Sequence, residues 1–266
     1  MTPDRYSHGH HEAVLRSHRW RTAENSAGFL LPHLPASASL LDVGCGPGNI
    51  SADLAARLEH GSVVGIDRAA EVVDAARRDF AADHSNLTFE VGDVYDLAFD
   101  DGVFDVVYAH QVLQHLTAPV GALEEMRRVL KGGGLLAVRD ADYGAFVWAP
   151  DDPWLARWMV LYHEITRHND AQADAGRYLA AWVRTAGFRD LVVSASTWTF
   201  HTEEERTWWG GLWAERILHS DFARQGLEYE LTDESELRAI SDAFTRWSRD
   251  DDGVFVLTHV EVLARA

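Results

Sequence analysis

A chain of 266 residues suits one large domain, or a domain carrying an insertion, and with 47% apolar and aromatic residues it can build a full core. Its 24 Lys and Arg against 42 Asp and Glu leave a formal net charge of −18, a field that repels phosphate backbones and anionic bilayers, so nucleic acid and membranes are not expected partners. No run approaches the ~20 apolar residues of a membrane span, the polar start "MTPDRYSHGHHEAVLRSHRW" has no apolar h-region, and Cys45 stands alone without a disulfide partner, so a cytoplasmic protein is expected.

Residues 8–31 have the apolar spacing of a helix that ends near Pro32 and Pro35. Leu40–Val43 reads as a short buried strand, followed by a glycine turn and the amphipathic helix "NISADLAARLE". "SVVGID", "LTFEVGD" and "FDVVYAH" read as strands, with the helix "AAEVVDAARRDFAA" between the first two. "GALEEMRRVLK" is a helix closed by Gly132–Gly134, and "GLLAVRD" a fifth strand. This alternation predicts a parallel sheet with helices on both faces. Beyond Asp140 come the helices "DDPWLARWMVLYHEITRH" and "AGRYLAAWVRTAGF", the long strand "DLVVSASTWTF", a largely helical stretch over 203–250, and a last strand in "GVFVLTHVEVLARA". The acidic runs at Glu203–Glu205 and Asp250–Asp252 are expected to face solvent. Nine of the ten tryptophans follow residue 147; singly they are expected to pack added helices onto the sheet, and as a group to supply part of a pocket wall.

In "LLDVGCGPGN", Gly44, Gly46 and Gly48 leave the backbone bare where the first strand meets the first helix. Open α/β sheets bind ligands at that edge, although a tight strand-to-helix turn alone would also use glycine. The dinucleotide fingerprint fails in both registers, because Asn49 and Ser51 stand where its third glycine belongs, and no Gly-Lys-Ser/Thr follows for a phosphate loop. An acid, Asp42, precedes the turn, and another, Asp67, ends the second strand, where a carboxylate can accept from ribose hydroxyls.

These segments, with "EVGDVYDLAF", "FDVVYAHQVLQHL" and "EEMRRVLKGGGLLAV", resemble the class I S-adenosylmethionine (SAM)-dependent methyltransferases of the ubiquinone/menaquinone-biosynthesis-like branch. The resemblance covers about Leu40 to Asp140. It implies a Rossmann-like, doubly wound, mostly parallel seven-stranded sheet, with helical caps inserted after strand 5 and between strands 6 and 7. The layout expected is one domain over 1–266, with an N-terminal helical cap (1–35), a cofactor core (36–142) and substrate caps (143–175 and 203–252). It further implies that the cofactor lies over Gly44, Cys45, Gly46 and Gly48, with Asp42 near the methionine amino group and Asp67 on the ribose diol. Arg68 would flank the adenine, Gly92, Asp93 and Val94 would meet its amino edge, and Ala109 and His110 would lie beside the sulfonium. Acids and aromatic faces suit a ligand carrying a sulfonium and an ammonium.

The reaction implied is methyl transfer to O, N, S or C of a small metabolite, apolar or aromatic, with oxygen the first expectation. Rearrangement or cyclisation on the same fold, and SAM binding without catalysis, stay open alongside it; NAD chemistry is disfavoured by Asn49 and Ser51. His110 and His115, just past the fourth strand, are the candidates for a general base. Trp20 and Arg21 are placed at the cofactor, with Arg21 suited to its carboxylate, and Tyr6, His11, Tyr143 and Trp148 on the acceptor side. No metal is expected: the histidines lack cysteine partners, and "HEITRH" is one residue too wide for the H-E-x-x-H motif. A homodimer is allowed for.

Overall fold

The structure, a computed structural model, describes residues 4–7, 9 and 12–266. Two short helices come first, α1 (Glu12–Arg19) and α2 (Ala23–Ala27). The single helix expected over 8–31 is broken at Trp20–Thr22 because Thr22 caps the second. Its hydroxyl accepts from the Asn25 N–H while the Asn25 side chain accepts from the Thr22 N–H.

Strand and helix then alternate through β1 (Ser39–Val43), α3 (Asn49–Arg57), β2 (Ser62–Asp67), α4 (Ala70–Phe80), β3 (Leu87–Val91), β4 (Phe104–His110), α5 (Pro119–Val129) and β5 (Leu130–Ala141). The second half contributes β6 (Val147–Ala149), α6 (Pro153–His168), α7 (Leu179–Thr185), β7 (Arg189–Phe200), α8 (Glu203–His219), α9 (Asp221–Glu228), α10 (Glu234–Ser248) and β8 (Val254–Arg265). Helix α5 stops before the glycines expected to close it; Leu130 already pairs with Phe104, and Gly132–Gly134 fall inside β5 at a break in register.

All strands join one sheet in the order β3-β2-β1-β4-β5-β8, with β7 on the other edge of β8. Strands β1 to β5 are parallel, and β8 runs antiparallel to both β5 and β7. The sheet has one strand more than the seven expected. Pairing of β5 ends at Ala141 opposite His259, but β8 extends back to Val254, and Val147–Ala149 cover that otherwise bare edge. The caps do fall after β5 and between β7 and β8.

Alternation along the strands sets the two cores. Leu40, Val106, Tyr108 and Ala137 face α2, α3 and α4, while Leu41, Val107, Leu136 and Val138 face α5 and α7. The tryptophan-rich half makes a third core: Trp158 meets Trp213 edge to face at 4.7 Å, and Trp213 stacks on Phe244 at 5.7 Å. Helices α8 and α10 touch closely enough that a Cβ on Gly210 would lie 2.8 Å from the Phe244 carbonyl oxygen. Of the acidic runs, Glu203 and Glu204 are exposed as expected, whereas Glu205 turns back to accept the N–H groups of His201 and Thr202 and so starts α8. Among the described residues no helix is long and apolar enough to cross a membrane.

Candidate active site

A cavity of about 880 Å³ opens at the carboxyl edge of β1, β2 and β4 and runs from the glycine turn into the aromatic cap. The turn is shaped by two backbone bonds, from the Gly44 and Cys45 N–H groups to the Ile66 carbonyl at 2.8 and 2.9 Å. Gly44 has φ +71°, and a Cβ there would come within 2.4 Å of Val112 Cγ2. A Cβ on Gly46 would find nothing nearer than His18 Nδ1 at 3.9 Å, so the bare face of Gly46 belongs to the cavity. Gly48 does not line the cavity; it packs against Phe89 and Ala76. Cys45 lines the wall with its thiol pushed up by burial and by the Asp42 and Asp67 carboxyls, which makes it a neutral spacer.

The turn end is acidic. Asp67 accepts from the Gly46 N–H (3.1 Å) and the Ala69 N–H (3.0 Å), one bond per oxygen, leaving a lone pair on each. Asp42 is buried and accepts from the Ser51 hydroxyl at 2.5 Å; burial raises its pKa to about 7, against the pull of that bond. Arg68 donates to the Asp4 carbonyl at 2.9 Å. Asp93 is exposed at the rim, folded back onto the Tyr95 N–H, and Gly92 and Val94 line the cavity beside it.

Where β4 ends, Ala109 is fully buried and does not reach the cavity, but His110 does. Burial, followed by the charges of Arg139 and Arg21, holds His110 well below its usual pKa. Arg139 Nη1 lies 3.5 Å from Nδ1 and can only donate, so the neutral ring carries its proton on Nε2, which has no partner among the described residues. His115 is lowered to about 3 by burial and Arg21; its Nε2 accepts from the Gln114 amide at 3.0 Å, and Tyr6 meets its ring edge to face.

Gln111, which sequence reasoning did not single out, is the hinge of this region. It has φ +55°, rare for a residue with a side chain, accepts from Arg21 at 2.7 Å and donates to His259 Nε2 at 2.8 Å. Its only signal in the sequence is its place one residue beyond the fourth strand in "AHQV".

The cap end is aromatic. Trp198, Trp208, Trp209 and Trp213 line it with Tyr143 and Phe146. Trp20 reaches Trp198 from the N-terminal side at 5.2 Å, and Tyr143 stacks on Tyr162 at 3.8 Å. Trp148, expected on the acceptor side, is elsewhere: its ring stacks on Phe255 in the cap core and does not line the cavity. His11 lies outside the described residues. The "HEITRH" histidine His163 is engaged with the Met159 carbonyl and Asp174.

Residues 4–7 lie across cavity and cap as a strap. Asp4 accepts from Tyr95 and the Thr117 N–H on the core side, while Arg5 binds Glu228 and Tyr229, the Tyr6 carbonyl accepts from Gln225, and Ser7 accepts from Asn169 on the cap side.

A family model described as a methyltransferase domain matches residues 35–187. The chain is 32% identical over 267 residues to an uncharacterized methyltransferase of Schizosaccharomyces pombe, covering 97% of this chain and 95% of that one. In fold it is similar to phosphoethanolamine N-methyltransferase 2 of Haemonchus contortus, determined with S-adenosylhomocysteine (TM-score 0.56, 17% identity, 90% of this chain and 52% of that one). It is also similar to a 4+2 cyclase (TM-score 0.55, 22% identity, 99% of this chain and 88% of that one). With the matched segment spanning the glycine turn, both carboxylates and the end of β4, the chain belongs to the methyltransferase-domain family, as a class I SAM-dependent methyltransferase.

Proposed function

We propose that SAM occupies the acidic end of the cavity and that its methyl group passes to a small apolar or aromatic acceptor held at the cap end, with oxygen as the receiving atom. One observation carries this reading: a single cavity joins a bare glycine backbone edged by carboxylates to a chamber walled by tryptophans. Its volume, about 880 Å³, is in the range that encloses ligands of this size. The residues fit the group. Asp67 has acceptor capacity left for a ribose diol, Gly46 leaves open the space a Cβ would take, and Arg21 stands over Trp198 with its Nε buried and unbonded, suited to a carboxylate. Bound there, SAM supplies an electrophilic methyl on a sulfonium.

The chain's part is to bind, align and keep water out, which is where the barrier is lowered most. His110 lines the cavity as a neutral ring with its Nε2 buried, so it bounds the space beside the transferred methyl. Calorimetric titration of S-adenosylhomocysteine tests the placement: Asp67→Ala should bind more weakly by ~1–3 kcal/mol in a folded protein, and unchanged affinity would refute it. The fold likeness to a cyclase keeps one rival in play. Release of S-adenosylhomocysteine with label from the SAM methyl in the product separates transfer from cyclisation.

A further inference from the structure

Backbone strain marks one side chain in the cavity wall. Gln111 has φ +55°, a left-handed backbone that a residue with a Cβ adopts at a cost and glycine adopts freely. Its N–H donates to the Arg139 carbonyl at 2.7 Å, which pins that backbone just past the end of β4. At the turn after β1 the chain meets the same demand with Gly44 and Gly46. A side chain kept at 111 therefore points to a use for its amide.

That amide stands between two groups of set polarity. Arg21 can only donate, so Gln111 Oε1 faces it and accepts from Nη2 at 2.7 Å. The amide nitrogen then faces His259 Nε2 at 2.8 Å, and that ring nitrogen carries the lone pair. His259 is wholly buried on β8, and turning the amide over would set a donor against Arg21. Gln111 is also a neutral partner. Among the described residues, the groups that act on Arg21 electrostatically are the phenols of Tyr6, Tyr143 and Tyr108. A glutamate at 111 would cancel the guanidinium charge, whereas an amide oxygen fixes the group in place and leaves its charge for an anion.

Resting on the reading above, in which Arg21 meets the cofactor carboxylate, we propose that Gln111 is the positioning residue that holds the Arg21 guanidinium to that carboxylate, with His259 orienting its amide. Arg21 also lies over the Trp198 ring at 5.7 Å, so the same bond fixes the guanidinium where the glycine-turn end of the cavity meets the aromatic chamber.

The test is calorimetry on the full chain with S-adenosylhomocysteine and its decarboxylated analogue S-adenosyl-3-thiopropylamine, which keeps the nucleoside, sulfur and amine. The wild type should bind S-adenosylhomocysteine more tightly by about tenfold or more, and Arg21→Gln should abolish that preference. Gln111→Gly frees the backbone and removes the amide; it should lose most of the preference while binding the analogue as the wild type does. Gln111→Glu, which keeps an oxygen on Arg21 but cancels its charge, should lose the preference as well. A residue needed only for the turn would tolerate glycine with the ratio unchanged. A preference that survives in either folded Gln111 variant overturns the proposal, and each variant decides by itself if the other fails to fold. Should the wild type not bind S-adenosylhomocysteine, the cofactor reading falls and this proposal with it. No preference in the wild type, or one that persists in Arg21→Gln, removes the Arg21 assignment and this proposal together. A preference lost in Arg21→Gln but kept in Gln111→Gly removes this proposal alone.

Discussion

The Asp42 carboxylate and the Ser51 hydroxyl are locked together at 2.5 Å beneath the glycine turn, both buried. Burial nonetheless holds the Asp42 pKa near 7, with Asp67 adding to the rise. A carboxyl that binds its proton more tightly when folded favours the fold at low pH, and that contribution is lost as pH rises towards and past 7. Asp42→Asn keeps the bond to Ser51 and removes the charge. It should therefore stabilise the ligand-free protein at pH 8 by ~1–3 kcal/mol and change little near pH 4. It should also weaken S-adenosylhomocysteine, whose ammonium loses a countercharge. Scanning calorimetry with and without the ligand reads both signs in one experiment.

Gly44 and Gly46 share a left-handed backbone but not a neighbourhood. Alanine at Gly44 collides with Val112 and should cost ~2–4 kcal/mol of stability by adding a clash to the left-handed penalty. Alanine at Gly46 meets no packed atom and should cost only the ~1–2 kcal/mol of its backbone, while its methyl group, entering the cavity, lowers SAM affinity at least tenfold. Melting curves and ligand titrations on the two variants should rank them in opposite orders.

Five buried groups set a pH optimum for stability. His110, His115 and His259 are pushed down by burial and by nearby arginines, so below pH ~6.5 the unfolded chain binds up to three protons that the fold refuses. Asp42 and Asp140 are pushed up by burial to about 7 and 8, so the fold holds two protons that the unfolded chain releases above pH ~4. Between pH 4 and 6 the histidines win by one proton and stability rises; above 6.5 only the aspartates act and it falls. The melting temperature of the ligand-free protein should peak near pH 6–6.5. Asp140→Asn should flatten the decline between pH 7 and 8.

Gly210 sets the spacing of the cap helices. Alanine there would press its methyl against the Phe244 carbonyl and the Ser248 Cβ, at 2.8 and 2.6 Å, both parts of α10 that cannot swing away. Gly210→Ala should destabilise by ~1–3 kcal/mol, measured as a loss of several degrees in melting temperature, with S-adenosylhomocysteine affinity intact because the change is remote from the glycine turn.

The glycine-turn end of the cavity was legible because local sequence writes it. Asp42, the glycines and Asp67 occupy one strand–turn–helix–strand unit, where position along the chain dictates position at the sheet edge. The cap end was legible only in part: Tyr6 and Tyr143 were named for it and do line the cavity, whereas Trp198 and Arg216 reach the same chamber from distant parts of the chain, through tertiary packing that local sequence does not write. The tryptophans show the difference. That some of them would wall a pocket followed from their number, but which ones did not. Trp148 turns into the cap core from β6, whereas Trp198 turns to the cavity from β7. Likewise the break at Trp20–Thr22 was written only in the polar capping pair Thr22 and Asn25, which apolar spacing overlooks. Gly48 was grouped with its neighbours by spacing, yet it serves the packing of Phe89 and Ala76.

The strap over residues 4–7 is fastened to the core on one side and to the cap helices on the other by polar bonds, of which the Arg5–Glu228 pair is at the surface and the others are partly or wholly buried. Each such bond is worth ~1 kcal/mol, small beside the apolar burial that holds either half together. Asp4 and Tyr6 both line the cavity, so this one short segment ties the wall beside the glycine turn to the wall made by the cap helices.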